Sequence, residues 1–254
     1  MCLFSGGVDS LAVLFNGTGY SHRIALFVAH SDQSGTVNIV RRLYSSVLKQ
    51  YEIPLLSVYA PPIRRLGYSQ SRGFLYGMAG IAVALNLGAK SLLFGECGPT
   101  MFQPRFGPFD ATTMTSHPVV INTLRSIGKK LSGGGLSLQT PLSNTTKAEA
   151  IALLRDPAWL RLTHSCISQQ FRRHDGTCYG CIIRRLGSAV AGVPDVDYRY
   201  HLLDAGRRGK DNLLSLLRFS HDILFDFESL PERRLKKSST GGPGPYSSAS
   251  RWII

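Results

Sequence analysis

Six residues near the start of the chain, Ser5-Gly6-Gly7-Val8-Asp9-Ser10, stand between the apolar Met1-Cys2-Leu3-Phe4 and an apolar run from Leu11 to Phe15. This order predicts a short strand that turns on two glycines directly into a helix. Glycine tolerates positive φ and puts no Cβ between the backbone and an approaching group, so successive peptide N–H groups can converge on an anion. Ser5 and Ser10 add hydroxyls beside the unpaired N–H groups of the first helical turn, where the helix dipole favours negative charge. Those parts make a phosphate cradle. Asp9 differs in kind, because a carboxylate repels phosphate unless a cation stands between them. An acid at this position therefore implies Mg²⁺.

No lysine closes the motif, which separates it from a Walker A loop. Ser-Gly-Gly-x-Asp-Ser resembles instead the PP-loop of the ATP pyrophosphatases. The resemblance implies cleavage of ATP between its α and β phosphates and adenylation of a substrate oxygen. Ser5, Gly6, Gly7, Val8, Asp9 and Ser10 would then bind the nucleotide, with Asp9 also catalytic.

Downstream, strand and helix patterns alternate. Residues 23–30 are an apolar run suited to a strand buried on both faces, and 37–51 carry helical spacing with basic residues outside. Residues 55–59 read as a short strand ended by Pro61-Pro62. From 72 to 87, Phe74, Met78, Ile81 and Leu85 recur at helical intervals, and Gly88 is placed as the C-cap. Residues 91–94 read as the next strand, closed by Gly95. The alternation predicts an α/β fold with a doubly wound parallel sheet of Rossmann type. Ligands then sit at the carboxyl ends of the strands, where Ser5, Ser31-Asp32 and Gly95-Glu96 fall. Residues 99–108, rich in Pro, Gly and Phe, read as a substrate loop or packed Ω-loop instead of a regular element. An amphipathic stretch to residue 131, a Ser-Gly-Gly-Gly linker at 132–135 and a last strand over 136–142 follow. A helix through 154, capped by Asn144 or Thr145, completes an expected first domain at 1–160.

No apolar run approaches bilayer length and no signal peptide precedes Ser5, which predicts a cytoplasmic protein without membrane partners. In that compartment five cysteines are read for metal or catalysis, not disulfides. Cys178-Tyr179-Gly180-Cys181, with Cys166 upstream, suits a structural Zn²⁺ site, since closely spaced thiolates on a turn can take two corners of a tetrahedron. The fourth corner has three candidates: His164, His174 and Asp175. With a helical pattern over 213–227, these residues define a second, zinc-binding region at 161–230. Residues 231–254 begin with a basic run, turn rich in Ser, Gly and Pro, and read as a disordered tail. The net charge of +13 fits nucleic acid, a phosphorylated ligand or an acidic protein partner.

Further stretches carry a more specific resemblance. Arg72 precedes a long apolar helix, Thr140-Pro141-Leu142 is followed by Thr146-Lys147, and Thr163-His164-Ser165-Cys166 precedes Cys178-x₂-Cys181-Ile182-Ile183-Arg184-Arg185. With the PP-loop, these resemble the 7-cyano-7-deazaguanine synthase family over residues 1–190. The resemblance implies ATP, Mg²⁺ and Zn²⁺, and adenylation of a 7-deazapurine carboxylate for attack by a nitrogen nucleophile. It places Arg72 and Gly95 at the nucleotide, makes Lys147 catalytic, and gives Cys166, Asp175, Cys178 and Cys181 as metal ligands, Asp175 standing where the family has cysteine. It also allows a homodimer. One segment departs: the family's aromatic-Pro-Asp stretch reads Thr115-Ser116-His117-Pro118-Val119, and losing that acid alters which ligand is accepted.

Ser71 to Leu75, Thr115 to Pro118 and His174 resemble the synthase-like component of Qat antiphage defence systems. That subgroup carries additional sequence before the PP-loop, so this chain is expected to lack the beginning of its first strand. The nucleophile is then ammonia or an amine of a partner protein from the defence operon. Two other classes compete. A tRNA-modifying PP-loop enzyme, of sulfurtransferase or lysidine synthetase type, is suggested by the charge and by Arg41-Arg42, Lys129-Lys130 and 233–237; Cys97 is the thiol placed to serve it. A noncatalytic ATP-binding subunit is the other, and the retained Asp9 weighs against it.

Overall fold

The computed structural model describes residues 1–16, 23–29, 35–59, 72–102, 116–166, 173–203 and 206–229. Strands β1 (Cys2–Leu3), β2 (Ala25–Ala29), β3 (Leu55–Tyr59), β4 (Ser91–Phe94) and β5 (Ser137–Gln139) form one parallel sheet in the order β3-β2-β1-β4-β5. Cys2 is in register with Ala25 on one side and Leu93 on the other. Eight helices accompany the strands among the described residues: α1 (Val8–Asn16), α2 (Gly35–Ser46), α3 (Arg72–Asn86), α4 (Gly98–Met101), α5 (Pro118–Leu131), α6 (Lys147–Ala152), α7 (Tyr179–Ala191) and α8 (Gly206–Ser229).

Strand side chains alternate between two faces, and each face has its own core. Phe27 and Leu93 pack with Leu11, Leu14, Val40, Leu43, Ile151 and Trp159 from α1, α2, α6 and the 3₁₀ turn Pro157–Leu162. On the opposite face Leu92, Phe94 and Leu138 pack with Ile81, Ala84, Ile121 and Leu124 of α3 and α5. Leu26 and Val28 meet Leu75, Ala79 and Val83 of α3. This is the doubly wound α/β sheet that the alternation predicts. The order of strands reverses between β1 and β4, which opens a crevice at their carboxyl ends. The Ser5–Ser10 loop follows β1 and Gly95 follows β4, so both border it.

Local chemistry moves several boundaries. The last strand is three residues, Ser137–Gln139, because Pro141 has no N–H for a ladder. The chain turns instead, with Ser143 N–H donating to Thr140 O and Thr145 N–H to Leu142 O. Thr146, not Asn144 or Thr145, caps α6: its hydroxyl accepts the Glu149 N–H, and the Glu149 carboxylate accepts the Thr146 N–H at 2.6 Å. That reciprocal pair is a capping box. The helix expected over 37–51 ends at Ser46, and Leu48–Tyr51 continues as a 3₁₀ turn. Within 99–108, the first residues are regular after all: Gly98–Met101 is helical because Pro99 suits a first turn. Residues 103–108, Ser31-Asp32 and the tail at 231–254 lie outside the described residues. Among the described residues, no helix is long and apolar enough to cross a membrane.

Candidate functional site

Gly6 has φ +77°, and a Cβ on it would sit 3.1 Å from Ile39 Cγ2 and 3.2 Å from Val40 Cγ2. Only glycine takes that conformation at little cost while lying against α2. The Ser10 hydroxyl donates to Gly7 O at 3.0 Å and lies 3.4 Å from the Ser5 hydroxyl. A strap of residues 163–166 crosses the loop, with His164 N–H donating to Gly6 O at 2.9 Å. From the other side comes the end of β4. A Cβ on Gly95 would stand 2.6 Å from Ser10 Cα and 2.9 Å from Asp9 O. The fit between β4 and the first turn of α1 therefore admits no side chain there.

Asp9 is buried in the floor of this loop, and Lys147 Nζ lies 2.7 Å from each of its carboxylate oxygens. The Thr100 hydroxyl (3.3 Å) and the Cys97 N–H (3.4 Å) donate to Oδ2 as well. The Lys147 ammonium thus engages both Asp9 oxygens. Lys147 opens α6 yet is buried, because Gly187 of α7 leaves it room: a Cβ on Gly187 would fall 2.6 Å from Lys147 Cγ. Burial pushes the lysine pKa down, but Asp9, Cys97 and Glu96 push it up further, and it stays protonated well above its ordinary range.

Glu96 joins this group from the end of β4. Burial first, then the Asp9 charge, push its carboxyl up to about 8, with Lys147 opposing. The sequence places Glu96 at a strand end but gives it no role, and Thr100 it does not single out at all; the Gly-Glu step after a buried strand is the signal that marks the first. The side chain of Arg72, which begins α3, lies outside the described residues.

Behind the loop, one ligand atom each from Cys166, Asp175, Cys178 and Cys181 lie within 4.8 Å of one another, all four residues buried. Together they can hold a metal ion. Cys178 N-caps α7 and Cys181 sits in its first turn. Asp175 Oδ1 accepts N–H bonds from Thr177 (2.7 Å) and Cys178 (3.2 Å), which fixes the turn into the helix. His174 is excluded as fourth ligand through Nε2, which accepts the Ser165 N–H at 3.1 Å. Burial pushes its pKa down to about 3, so it remains a neutral acceptor. His164 stacks on it with ring centroids 4.6 Å apart. Of the three candidates for the fourth corner, Asp175 is the one in the group.

Helix α7 ties the two clusters together. Arg184 is fully buried, pairs with Asp195 at 2.7 Å, and donates to Thr163 O (3.1 Å), Thr163 Oγ1 (2.9 Å) and Leu160 O (2.5 Å). It thereby holds the strap that binds Gly6. Burial disfavours the Asp195 carboxylate, yet hydrogen bonds and charge from Arg184 hold its pKa below the usual range. Tyr179 OH donates to Pro99 O at 2.7 Å, fastening α7 to the segment that follows β4. The Thr115 to Val119 stretch has a visible local job from Ser116 on: Ser116 is buried, and His117 Nδ1 accepts the Val119 N–H to cap α5.

No protein-family model matches the chain, and no curated protein matches it. Among solved structures it is similar to the U34-tRNA thiolase NcsA from Methanococcus maripaludis with its [4Fe-4S] cluster, at 14% identity over 80% of this chain and 78% of that one, with a TM-score of 0.44.

Proposed function

We propose that this chain is an ATP-dependent enzyme that adenylates a carboxylate, of 7-deazapurine type, for attack by a nitrogen nucleophile. The observation that carries the reading is the Lys147–Asp9 pair beneath the Ser5–Ser10 loop. A buried ammonium next to a phosphate cradle is placed to offset charge that develops as the bond between the α and β phosphates breaks. Its position at the crevice between β1 and β4 is where a doubly wound sheet takes its ligand. Gly6 and Gly7 supply backbone N–H groups, Ser5 and Ser10 hydroxyls, and Gly95 the clearance. A protein that only bound nucleotide would need no such buried ion pair, which weighs against a noncatalytic subunit.

The Cys166, Asp175, Cys178 and Cys181 set fits a single structural Zn²⁺. Bonds of about 2.3 Å to a tetrahedral ion set thiolates about 3.8 Å apart, and Cys166 Sγ lies 3.9 Å from Cys178 Sγ. The bound ion would fix the start of α7 and, through it, the strap.

A sulfur-transfer reading needs an accessible thiolate. Cys97 is fully buried, and burial, with the Asp9 charge, pushes its thiol up to about 12. Cys2, whose Sγ lies 3.8 Å from Ser10 O, is buried as well and burial pushes its thiol up to about 12, and the other three cysteines belong to the candidate metal set.

The test is to incubate the protein with ATP, Mg²⁺ and 7-carboxy-7-deazaguanine, with ammonia or an amine-bearing partner protein, and to assay AMP, pyrophosphate and the ligated product. Release of AMP and pyrophosphate that depends on the deazapurine supports the reading. Release that depends on tRNA instead would replace it with the tRNA-modifying one.

A further inference from the structure

Arg41-Arg42 takes no part in the Ser5–Ser10 loop or in the metal group. Both side chains are exposed on α2, and the Arg42 guanidinium donates to Leu162 O at 3.0 Å. That bond joins α2 to the end of the 3₁₀ turn Pro157–Leu162, where Arg161 is exposed beside it. Lys49 is exposed in the next turn, Leu48–Tyr51, and Arg155 holds its guanidinium 5.3 Å from the centre of the Tyr51 ring. Arg41, Arg42, Lys49, Arg155 and Arg161 thus share one surface, which begins where the strap begins. None of them pairs with a carboxylate among the described residues. Of the two acids nearest in sequence, Glu52 and Asp156, the second already accepts the Ala158 N–H at 2.8 Å.

Uncompensated cations side by side fit a partner that carries a regular series of negative charges. A protein partner would also need an apolar centre to its interface. Tyr51, 41% exposed, is the one large apolar side chain exposed on this surface among the described residues. Its ring is held in place, with its centroid 5.0 Å from that of Phe15 and 5.6 Å from that of Trp159. A fixed ring layered with a guanidinium is a platform on which an unpaired base can stack. Ser46 and Gln50, both exposed close to Lys49 in sequence, offer neutral groups that can exchange hydrogen bonds with a ribose 2′-hydroxyl.

We propose that the surface formed by α2 and the two 3₁₀ turns binds single-stranded RNA. The five cations take its phosphates, and one base stacks at Tyr51 and Arg155. The inference goes beyond the proposed function and does not depend on it.

Fluorescence anisotropy of the full chain with a labelled, unstructured single-stranded RNA, from about 50 to about 200 mM salt, tests this. Five contacts at about 0.7 each predict a slope of log affinity on log salt of about −3.5. Arg41→Gln, Lys49→Gln and Arg161→Gln combined should weaken binding at least about tenfold and flatten the slope by about 2. Tyr51→Leu should weaken it at least about fivefold with the slope unchanged. Lys90→Gln, Lys129→Gln and Lys130→Gln combined remove the same charge across the sheet and should leave affinity within about twofold of wild type. Thermal melts and titration with an ATP analogue should be alike in all these proteins, which separates failure here from failure of the nucleotide site. Equal loss in the two triple variants, or no binding at the lowest salt, overturns the proposal. Equal affinity for DNA of the same sequence overturns the choice of RNA, and displacement by polyglutamate as effective as by unlabelled RNA makes the surface one for an acidic protein instead.

Discussion

Lys147 places its ammonium 2.7 Å from both oxygens of Asp9, a residue 138 positions earlier in the chain. The pair joins the first turn of α1 to the first turn of α6 across the carboxyl end of the sheet. Neither side chain is more than about a tenth exposed, so each charge depends on the other for compensation. The pairing fixes the lysine beneath the Ser5–Ser10 loop.

Removing one partner should therefore harm the fold as well as the chemistry. Lys147→Met leaves a buried carboxylate without its cation, and breaking a buried pair from one side costs about 3–5 kcal/mol. Urea unfolding should show a loss of that order, and AMP release should vanish. The double variant Lys147→Met with Asp9→Leu should recover much of the stability and none of the activity. Equal unfolding midpoints for Lys147→Met and wild type would mean that the pair does not form.

Glu96 predicts how stability depends on pH in the metal-free protein. Its folded pKa of about 8 exceeds the ordinary glutamate value of about 4.3. Between those values the native state binds more protons than the unfolded one, so stability falls as pH rises across the window. Each unit of difference is worth about 1.4 kcal/mol, and partial exposure reduces the total to the order of a few kcal/mol. Glu96→Gln carries no titrating proton. Its stability at pH 8.5 should exceed that of wild type, with the gap closing toward pH 5, as measured by urea unfolding at both values. Parallel curves for the two proteins would count against a desolvated Glu96.

Much of this was legible from local spacing. The Ser5–Ser10 loop, the β-α alternation and the Cys178-x₂-Cys181 turn each depend on residues close in sequence, and each appears where the pattern predicts. What spacing could not convey is set by distant packing. Lys147 at the start of an amphipathic helix looks like a surface residue; only Gly187 of α7 makes the space that buries it opposite Asp9. Arg184 follows the cysteine pair as one more basic residue, yet it is buried because Asp195 and the carbonyls of Leu160 and Thr163 surround it. Competition between neighbouring signals misled elsewhere: Thr146 outcompetes Asn144 and Thr145 as the cap because only Thr146 has Glu149 three residues on to close the box.

Two glycines separate stability from catalysis. Gly95→Ala drives a Cβ to 2.6 Å from Ser10 Cα and 2.9 Å from Ser10 N. Backbone cannot yield as a side chain can, so a destabilisation of about 1–3 kcal/mol is expected, together with weakened ATP binding. Gly187→Ala meets the Lys147 side chain instead, at 2.6 Å from Cγ. That stem can shift, so the variant should lose less stability and show a fall in kcat greater than its rise in KM for ATP. A matched pair of thermal melts and AMP assays checks both.

If the Ser5–Ser10 loop binds nucleotide as proposed, metal removal should reach it through the strap. Cys166 ends the strap whose His164 N–H binds Gly6 O, and Cys178 and Cys181 anchor the helix from which Arg184 grips the same strap. The compact ligand set predicts one metal ion per chain and no iron–sulfur absorption in the visible range, because a cubane would hold its thiolates much further apart than 3.9 Å. Chelation, or Cys178→Ser, should lower the unfolding midpoint and weaken ATP binding together, and readdition of Zn²⁺ should restore both to the chelated wild type. Elemental analysis alongside nucleotide titration provides the measurement. Full ATP affinity in the metal-free protein would show that Arg184 and its carbonyl partners hold the strap unaided, and the cluster would then serve the fold of α7 alone.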